Sequence, residues 1–446
     1  MLPELQVSPQ SAARALLAYY GLLRTTSAVP WRSTLAGTPG VHAALLRLEA
    51  VQVDPISAVE RNHHLVLYNR VGGYRPEHLD ELFRQGQALE YLANARCILP
   101  IESFPDFWPI MLQARANSET AGDVLRRSMD EVLAYAARVD AFSPREVGSD
   151  GPRLMGIGYN PDDVSSKASG RAIDLLWLGG QIMVSGRRGN DKLYTLTERH
   201  LPPSIRQQLV HVPAAPAADA PLRPWSPPEV RPDTNQPWRA MLLERYLRAF
   251  GIADTGDFRF GWQKWPAAER RAAVERLCEE GRLVPVRIEG VRRKYYAVPE
   301  FAALLAEAPN WQVRPEVRFI APLDQLLWRR ERVQDLFHFS YTWEVYIPET
   351  KRAFGYYAMP ILYGDRLVGR IDPKLHRKQR HLELRRIGFE ESFTPDDAFL
   401  AAFTEELSLF AAFHGAERVS AARIDLAGTL RQAVEKAVQS VEPKGE

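Results

Sequence analysis

The stretch RAIDLLWLGGQIMVSGRRGNDKLYTLTE, residues 171–198, contains a helix pattern followed directly by a hairpin pattern. Its first part places apolar residues at helical spacing, at Ala172, Leu175, Leu176 and Leu178. Gly179-Gly180 ends that helix, and two β-type runs then flank the polar turn at 187–190. A helix followed by such a hairpin is the outline of a winged helix, so the stretch predicts a module that binds duplex DNA.

A second copy of this pattern lies at 271–300, RAAVERLCEEGRLVPVRIEGVRRKYYAVPE. Gly281 ends its helix and Glu289-Gly290 turns its hairpin, so we interpret the two stretches as an internal repeat. Both hairpins have basic clusters at equivalent places, namely Arg187, Arg188 and Lys192 in the first and Arg292, Arg293 and Lys294 in the second. Solvated turn residues would look the same, but clusters repeated at equivalent places favour contacts with DNA phosphates.

Length and composition set broad limits on the protein. A chain of 446 residues is too long for one hydrophobic core. A net charge of +2 means that a DNA-binding surface must come from local clusters of basic residues. Cys97 and Cys278 offer neither a disulfide framework nor paired zinc ligands, which favours a reducing, cytoplasmic location. We find neither a signal peptide nor a long apolar run, so we predict no membrane segment.

The residues after Trp311 change to a β-type pattern that predicts a small antiparallel sheet or barrel. The predicted strands are Trp343–Ile347, Phe354–Ile361, Arg366–Ile371 and Leu382–Ile387. The segment from Asp396 to His414 is apolar at helical spacing, so we expect a helix that packs onto this sheet. Residues 212–237 are rich in Pro and Ala and predict an extended linker.

A candidate for chemistry is the short element Gln52-Val53-Asp54, between a predicted helix at 41–51 and a second one from Pro55 to about Arg70. The residue before a proline favours an extended conformation, and extended residues two apart face the same side. The Gln52 amide and the Asp54 carboxylate are thus able to converge on one water or one developing charge. The alternative is that Asp54 only caps the helix that Pro55 begins.

The histidines give weaker indications. His63 suits the inward face of the predicted second helix, whereas His64 is turned about 100° away and is a candidate for DNA contact. A lone surface histidine is more often without function. No persuasive ligand spacing joins the histidines His42, His63, His64 and His78, so we predict no metal. A P-loop, a GxGxxG element, an HExxH motif and a Gly-x-Ser-x-Gly elbow are also missing from the sequence, which argues against a nucleotide cofactor.

Three segments together resemble the YcaQ and AlkZ family of alkylpurine DNA glycosylases. They are VQVDPISAVERNHHLVLYNRVGGY at 51–74, the hairpin segment ending in GRRGNDKLYTLTERHLP, and the long segment that begins APLDQLLWRRERVQDLF at 321. The resemblance runs from about residue 10 to about residue 415. It implies an α+β fold of tandem winged-helix (helix-turn-helix) domains followed by a C-terminal antiparallel β-barrel. The implied domains are 1–145, 146–211, the linker 212–237, 238–312 and 313–446.

The resemblance also implies an activity. In this family a Gln-x-Gln or Gln-x-Asp element is catalytic, and the match falls on Gln52 and Asp54. The implied reaction is hydrolysis of the N-glycosidic bond of N7-alkylated purines in double-stranded DNA, including crosslinked ones, by a monofunctional enzyme that acts as a monomer without a cofactor. One departure is Asn94, where the family pattern has a histidine. The departure concerns the range of lesions more than the fold.

Two other classes of protein fit the repeated DNA-binding pattern. A winged-helix transcription regulator would bind one DNA sequence and would have no catalytic step. A repair accessory protein would recognise distorted duplexes without releasing a base. Base release from damaged DNA distinguishes the enzyme from both.

Overall fold

The computed structural model describes residues 3–25, 36–119, 122–147, 153–154, 166–189, 191–209, 237–263 and 265–442. The chain begins with strand β1 (Leu5–Val7) and helix α1 (Pro9–Tyr19). Ser8 caps this helix, because its hydroxyl accepts a hydrogen bond from the Ser11 amide at 3.1 Å. Three segments with a similar order of elements follow, and a mixed C-terminal region completes the α+β fold.

The first segment contains the Gln52-Val53-Asp54 element. Its elements are α2 (Gly37–Leu48), β2 (Val51–Gln52), α3 (Asn62–Tyr68), α4 (Pro76–Arg84), β3 (Ala88–Leu92) and β4 (Arg96–Pro100). The sheet order is β2-β4-β3 with both pairs antiparallel, so the strand before the helices lies beside the last strand of the hairpin. The predicted helix at 41–51 is confirmed as α2.

The predicted helix from Pro55 to Arg70 is wrong in its first half, because residues 54–61 form a loop and α3 begins only at Asn62. The cause is tertiary. The Ala58 carbonyl accepts a hydrogen bond from the Leu375 amide at 3.0 Å. The Val59 carbonyl accepts one from the Arg377 guanidinium at 2.7 Å. The C-terminal region therefore uses the backbone groups that helical hydrogen bonds would need.

The second segment contains the first predicted helix–hairpin copy. Its elements are α5 (Phe104–Glu119), α6 (Asp123–Ala136), β5 (Arg153–Leu154), β6 (Ser166–Lys167), α7 (Ala168–Leu178), β7 (Ile182–Arg188), β8 (Asp191–Leu196), α8 (Thr197–His200) and α9 (Pro203–Leu209). The helix end at Gly179-Gly180 and the hairpin are confirmed. Gly180 has φ +63°, and a Cβ there would lie 2.7 Å from the Met111 sulfur, so glycine is required for both conformation and space.

The third segment contains the second predicted copy and recruits the first strand of the chain. Its elements are α10 (Pro237–Phe250), β9 (Ile252–Ala253), α11 (Ala267–Glu279), β10 (Val284–Ile288), β11 (Tyr295–Ala297) and α12 (Pro299–Glu307). The sheet order is β1-β10-β11-β9, with β1 parallel to β10. This pairing crosses the boundary expected between domains 1–145 and 238–312. The predicted linker lies outside the described residues, except for Pro237, with which α10 begins.

The C-terminal region is built on a five-stranded sheet. Its elements are β12 (Val317–Phe319), α13 (Arg330–Phe337), β13 (Met359–Tyr363), β14 (Arg366–His376), β15 (His381–Phe389), α14 (Asp397–Phe413), β16 (Arg418–Ala421) and α15 (Gly428–Gln439). The strand order is β12-β13-β14-β15-β16, antiparallel except for the parallel pair of β15 with β16. The predicted helix after Asp396 is confirmed as α14, and its Phe403 and Phe410 contact Phe319 of the sheet.

This sheet differs from the predicted antiparallel β-barrel. Within the described residues β12 and β16 are its two edges, so the sheet is an open half-barrel. The last strand is parallel because α14 lies between β15 and β16, and a helical crossover returns the chain in the same direction. The predicted strand Trp343–Ile347 is a loop, and the other three predicted strands overlap β13, β14 and β15.

Buried ionic contacts join the segments to the C-terminal region. Arg70 and Asp324 form two parallel hydrogen bonds of 2.7 and 2.8 Å, and both side chains are completely buried. Arg332 donates to the carbonyls of Phe250 and Ile252 and to the Tyr20 hydroxyl, at 3.0 to 3.2 Å. In the part of the chain that the structure describes, no helix is long and apolar enough to cross a membrane.

Candidate active site

Gln52 and Asp54 lie at the point where β2 leaves its sheet. Gln52 faces Cys97 of β4, and the Val53 amide continues the pairing with a 2.8 Å bond to the Arg96 carbonyl. Asp54 then accepts a hydrogen bond from the Ile56 amide at 2.8 Å, which is an Asx turn. The helix-cap interpretation of Asp54 is therefore wrong, because the helix that follows begins eight residues later, at Asn62.

A chain of side-chain hydrogen bonds fixes the direction of the Gln52 amide. Arg259 donates to Asn94 Oδ1 at 3.2 Å, and Asn94 Nδ2 donates to Gln52 Oε1 at 3.1 Å. Arginine has donors only, so Asn94 must turn its oxygen toward Arg259 and its NH₂ toward Gln52. Gln52 consequently presents its own NH₂ group, a donor, to whatever else approaches it. The Asn94 departure noted in the sequence is a member of this chain.

The backbone beneath this pair is also fixed. Asn62 Nδ2 donates to the Gln52 carbonyl at 2.9 Å, and Asn62 Oδ1 accepts from the Leu323 amide at 2.9 Å. One side chain of α3 thus ties β2 to the C-terminal region. Gln52 and Asp54 are therefore held on a rigid frame, as a preorganised site requires.

The Asp54 carboxylate is half-buried and has no ion-pair partner among the described residues. Burial raises its pKa above the usual range, and the hydrogen bond from Ile56 opposes this effect only in part. Asp254 of the third segment makes the same turn, with the Gly256 amide at 2.8 Å, but it also binds Arg329 at 2.9 and 3.0 Å. When Asp54 is ionised, no cation among the described residues therefore compensates its charge.

A polar cavity of about 590 Å³ is lined by part of the loop that follows Asp54, beginning at Pro55. Its walls include the basic side chains of Arg61, Arg187 and Arg377, together with Pro55, Ser57, Glu60, His64, Pro76, Asp80 and Gly189. Arg377 lies in the turn between β14 and β15 and donates to Ser57 Oγ at 2.9 Å. Arg61 and Arg377 were not predicted from the sequence, because residues far apart in the chain come together here. The run His376–His381, HRKQRH, was the available signal for a basic hairpin turn.

The two histidines of α3 are both buried. His63 is completely buried, as expected for the inward face. His64 lines the cavity, but its Nδ1 lies 2.7 Å from the Tyr74 hydroxyl and burial lowers its pKa to about 3. His64 is therefore neutral at physiological pH. It does not attract DNA phosphates as a positively charged side chain would.

The six basic hairpin residues fall into two groups. Arg187 and Lys192 pair with the completely buried Glu90, which also binds Arg96 at 3.3 Å. Arg293 pairs with Asp335 at 3.0 Å and also lies near Asp254. The remaining three, Arg188, Arg292 and Lys294, are exposed, although Arg188 reaches Glu146 at 2.9 Å. In the ranges that the structure covers, no three His, Cys, Asp or Glu side chains are placed to hold a metal ion.

Comparison with known proteins assigns the chain to a family. The model of the family described as DNA glycosylase AlkZ-like matches residues 45–413, which include the Gln52-Val53-Asp54 element, both basic hairpins and the first four strands of the half-barrel sheet, β12 to β15. The chain belongs to the AlkZ-like DNA glycosylase family. The resemblance found in the sequence is thereby confirmed, and this AlkZ-like protein is an enzyme of DNA repair that acts on DNA. Family membership favours the enzyme over the transcription regulator.

A solved structure is similar to this AlkZ-like glycosylase in fold. The DNA glycosylase AlkZ of Streptomyces sahachiroi superimposes with a TM-score of 0.51 at 17% sequence identity. The match covers 95% of this chain and 100% of the Streptomyces chain. The two proteins therefore share a mixed α+β fold.

Proposed function

We propose that this protein removes N7-alkylated purines from duplex DNA, including bulky adducts and purines in interstrand crosslinks, with Asp54 and Gln52 as its catalytic residues. The observation that supports this best is the unneutralised, half-buried Asp54 carboxylate beside a glutamine whose amide direction is fixed. Three arginines, beside the carboxylates of Glu60 and Asp80, line the cavity that begins at Pro55, and they support a polyanion as the ligand.

Alkylation at N7 gives the purine a positive charge and makes it a good leaving group. The enzyme mainly has to stabilise the positive charge that grows on the sugar and to place a water molecule. An ionised Asp54 stabilises the positive charge on the sugar, and it accepts a proton from the water molecule as that water attacks. Because water is the nucleophile, the products are the free base and an intact abasic strand, which is the outcome of a monofunctional glycosylase.

Gln52 has a specific part in this scheme. Its NH₂ group donates a hydrogen bond to the attacking water or to the Asp54 carboxylate and so sets the line of attack. Asn94 and Arg259 are positioning residues, since they act through Gln52. The Asn94→Asp substitution keeps the shape but replaces the donor with an acceptor, so Gln52 must turn its NH₂ group away from the site.

The DNA surface belongs to the repeated segments. Each segment contains a hairpin, namely β3–β4, β7–β8 and β10–β11. In each segment a residue earlier in the chain pairs with the last strand of that hairpin: Val51 with Ile98, Phe142 with Tyr194 and Ile252 with Ala297. This pattern supports three winged-helix units around an open channel. The exposed Arg188, Arg292 and Lys294 then contact phosphates. We also propose that the enzyme acts as a monomer, without metal or nucleotide cofactor.

A single-turnover assay tests the proposal. The substrate is a duplex with one N7-methylguanine, and the abasic product is cleaved afterwards. We expect Asp54→Asn and Gln52→Ala to lower the rate by about 100-fold or more and Asn94→Asp by about tenfold, with unchanged DNA affinity. Asp397→Asn, which removes an exposed charge on α14, is the matched control and keeps the wild-type rate.

A duplex with one N7–N7 interstrand crosslink tests the wider substrate range, and separation of its strands on a denaturing gel is the readout. Base release from the monoadduct alone would restrict the enzyme to single adducts. Lesion binding by the wild type without any base release would indicate the accessory protein. A wild-type rate in Asp54→Asn would remove Asp54 from the catalytic role.

A further inference from the structure

Two aromatic side chains project into solvent beside the candidate active site. Phe258 is 70% exposed and Tyr346 is 79% exposed, whereas the other exposed large apolar residues among those described, Leu46, Val124 and Leu409, are aliphatic and at most 45% exposed. An exposed aromatic ring loses the hydrophobic free energy that burial would supply. Two such rings near one site point to a ligand that covers them.

Phe258 is connected to Gln52 through its neighbour in the chain. The Arg259 guanidinium carbon lies 5.0 Å from the centre of the Phe258 ring, and the same guanidinium holds the Asn94 side chain that bonds Gln52. The loop is rigid, because Asp257 Oδ1 accepts from the Arg259 amide at 2.9 Å. The protein therefore holds the Phe258 ring out at a defined place.

Tyr346 is connected to the Asp54 loop through other rings. Its ring lies 5.9 Å from that of Trp343, which lies 6.3 Å from that of Tyr357. The Tyr357 hydroxyl donates to the Glu60 carbonyl at 3.3 Å, within the loop that follows Asp54. The negative charge of Asp54 also helps to raise the pKa of Tyr346, after burial as the main cause, so the two groups are electrostatic neighbours.

We propose that Phe258 and Tyr346 stack against nucleobases next to the lesion and hold the duplex open while Asp54 acts. This inference rests on the proposed function. Every nucleobase has an aromatic face, and the arginines of the cavity along the loop that follows Asp54 attract the DNA backbone that brings the bases to this site. Aromatic and apolar wedges of this kind unstack base steps and distort the duplex. The two rings stack on the bases beside the lesion and hold the duplex in its distorted form. The enzyme then needs no closed pocket, which a bulky adduct would not fit.

The test uses a lesion duplex with 2-aminopurine, a base whose fluorescence depends on its stacking, beside the N7-methylguanine. Binding of the wild-type enzyme is expected to change that fluorescence. Tyr346→Ala and Phe258→Ala should each remove most of the change and lower the single-turnover rate at limiting enzyme by about tenfold. Tyr346→Phe and Phe258→Tyr keep a ring and should behave as the wild type. Leu409→Ala removes an exposed apolar side chain of α14 and is the matched control.

The two proposals fail in different ways. If the wild-type enzyme releases no base, the proposed function is wrong, whatever the fluorescence shows. If it releases the base while both alanine variants match their aromatic counterparts in fluorescence and rate, the stacking inference is overturned. Melting temperatures show whether the variants fold, and we expect no loss, because both rings are exposed. If the rings affect only binding to another protein, the inference is overturned as well.

Discussion

At the scale of single residues, the most informative contrast is between Asp54 and Asp254. Both carboxylates accept a hydrogen bond from the amide two residues further on, so local sequence gives them the same turn. Arg329 binds Asp254 at 2.9 Å, whereas no cation pairs with Asp54 in the described part of the chain. A buried charge without a partner destabilises the fold, and such groups concentrate where chemistry needs them.

The raised pKa of Asp54 predicts opposite effects of Asp54→Asn on activity and stability. The ionised form is the active one, so the wild-type rate should fall with decreasing pH, with its midpoint above the usual Asp value of 3.8. The folded-state pKa lies above the unfolded one, so the ionised carboxylate costs stability once the pH exceeds the folded-state pKa. We expect Asp54→Asn to be inactive yet to melt at the same temperature as the wild type or higher at pH 7.

A pH–rate profile and thermal melts at pH 7 and pH 4 measure these effects. The melting difference between Asp54→Asn and the wild type should shrink at pH 4. A clear loss of stability in Asp54→Asn at pH 7 would mean that the carboxylate has a structural role instead.

At the scale of elements, one buried carboxylate holds the β7–β8 hairpin against the first segment. Glu90 of β3 is completely buried and pairs with Arg187 and Lys192 of the hairpin. These cations lower its pKa to about 2, against the opposing effect of burial. The hairpin is therefore fixed in place at the edge of the Arg-lined cavity, and two of its basic residues serve this contact.

The Glu90→Gln substitution should destabilise the protein by about 3 kcal/mol, because it leaves three largely buried cations without the carboxylate that neutralises them. The depressed pKa means that the contribution is complete above about pH 4.5, the ordinary Glu value, and is lost as the pH falls toward about 2. Urea unfolding at pH 7 and pH 3 measures the difference. Glu81→Gln, which removes a partly exposed pair with Arg84, is the control and should cost less than about 1 kcal/mol. Equal effects of the two substitutions would contradict this account.

At the scale of the whole molecule, the segments are joined through contacts between distant parts of the chain. Strand β1 completes the sheet of the third segment, and Arg70 of α3 binds Asp324. Arg332 of α13 binds carbonyls at the end of α10 and in β9 of the third segment. Gln52 and Asn94 of the first segment and Arg259 of the third segment meet at one site. The geometry of the active site therefore depends on how the segments are joined.

The Asp324→Ala substitution should lower the free energy of unfolding by about 4 kcal/mol, since it leaves a fully buried arginine uncompensated. Because this pair joins α3 to the C-terminal region, we expect tryptophan fluorescence and circular dichroism to report one shared urea transition at a lower midpoint. Glu417→Gln breaks an exposed pair with Arg380 and should change little. Separate transitions for the two probes would show that the parts unfold independently.

DNA affinity should respond to salt through the exposed hairpin residues. If Arg292 and Lys294 contact phosphates, each alanine substitution should reduce the slope of log Kd against log salt by about 1. Lys436→Ala, an exposed substitution on α15, is the control with an unchanged slope. Fluorescence anisotropy with an undamaged duplex at several salt concentrations measures the slopes. Slopes that match the wild type in both hairpin variants would place DNA on another surface.

Much of the fold could be predicted from local patterns. Periodic apolar residues and glycines at helix ends predicted α2, α7, α11 and α14 and both basic hairpins, because these signals depend on neighbours in the chain. The loop at 54–61 and the parallel strand β16 were missed. The loop is shaped by hydrogen bonds from residues 375 and 377, and the direction of β16 is set by the helix that precedes it. Neither feature has a signal in the local sequence.

The sequence by itself determined the family and the candidate pair Gln52 and Asp54, since the motif and its extended backbone are local properties. Only the tertiary structure decided which charges are neutralised and which remain. It paired Asp254 and Glu90 with cations and, within the described ranges, left Asp54 without one, and it brought Asn94 and Arg259 to Gln52 and Arg377 to the loop after Asp54. The physical reason is that the interaction of charges and hydrogen-bonding groups depends on distance in space and on burial, and sequence separation fixes neither.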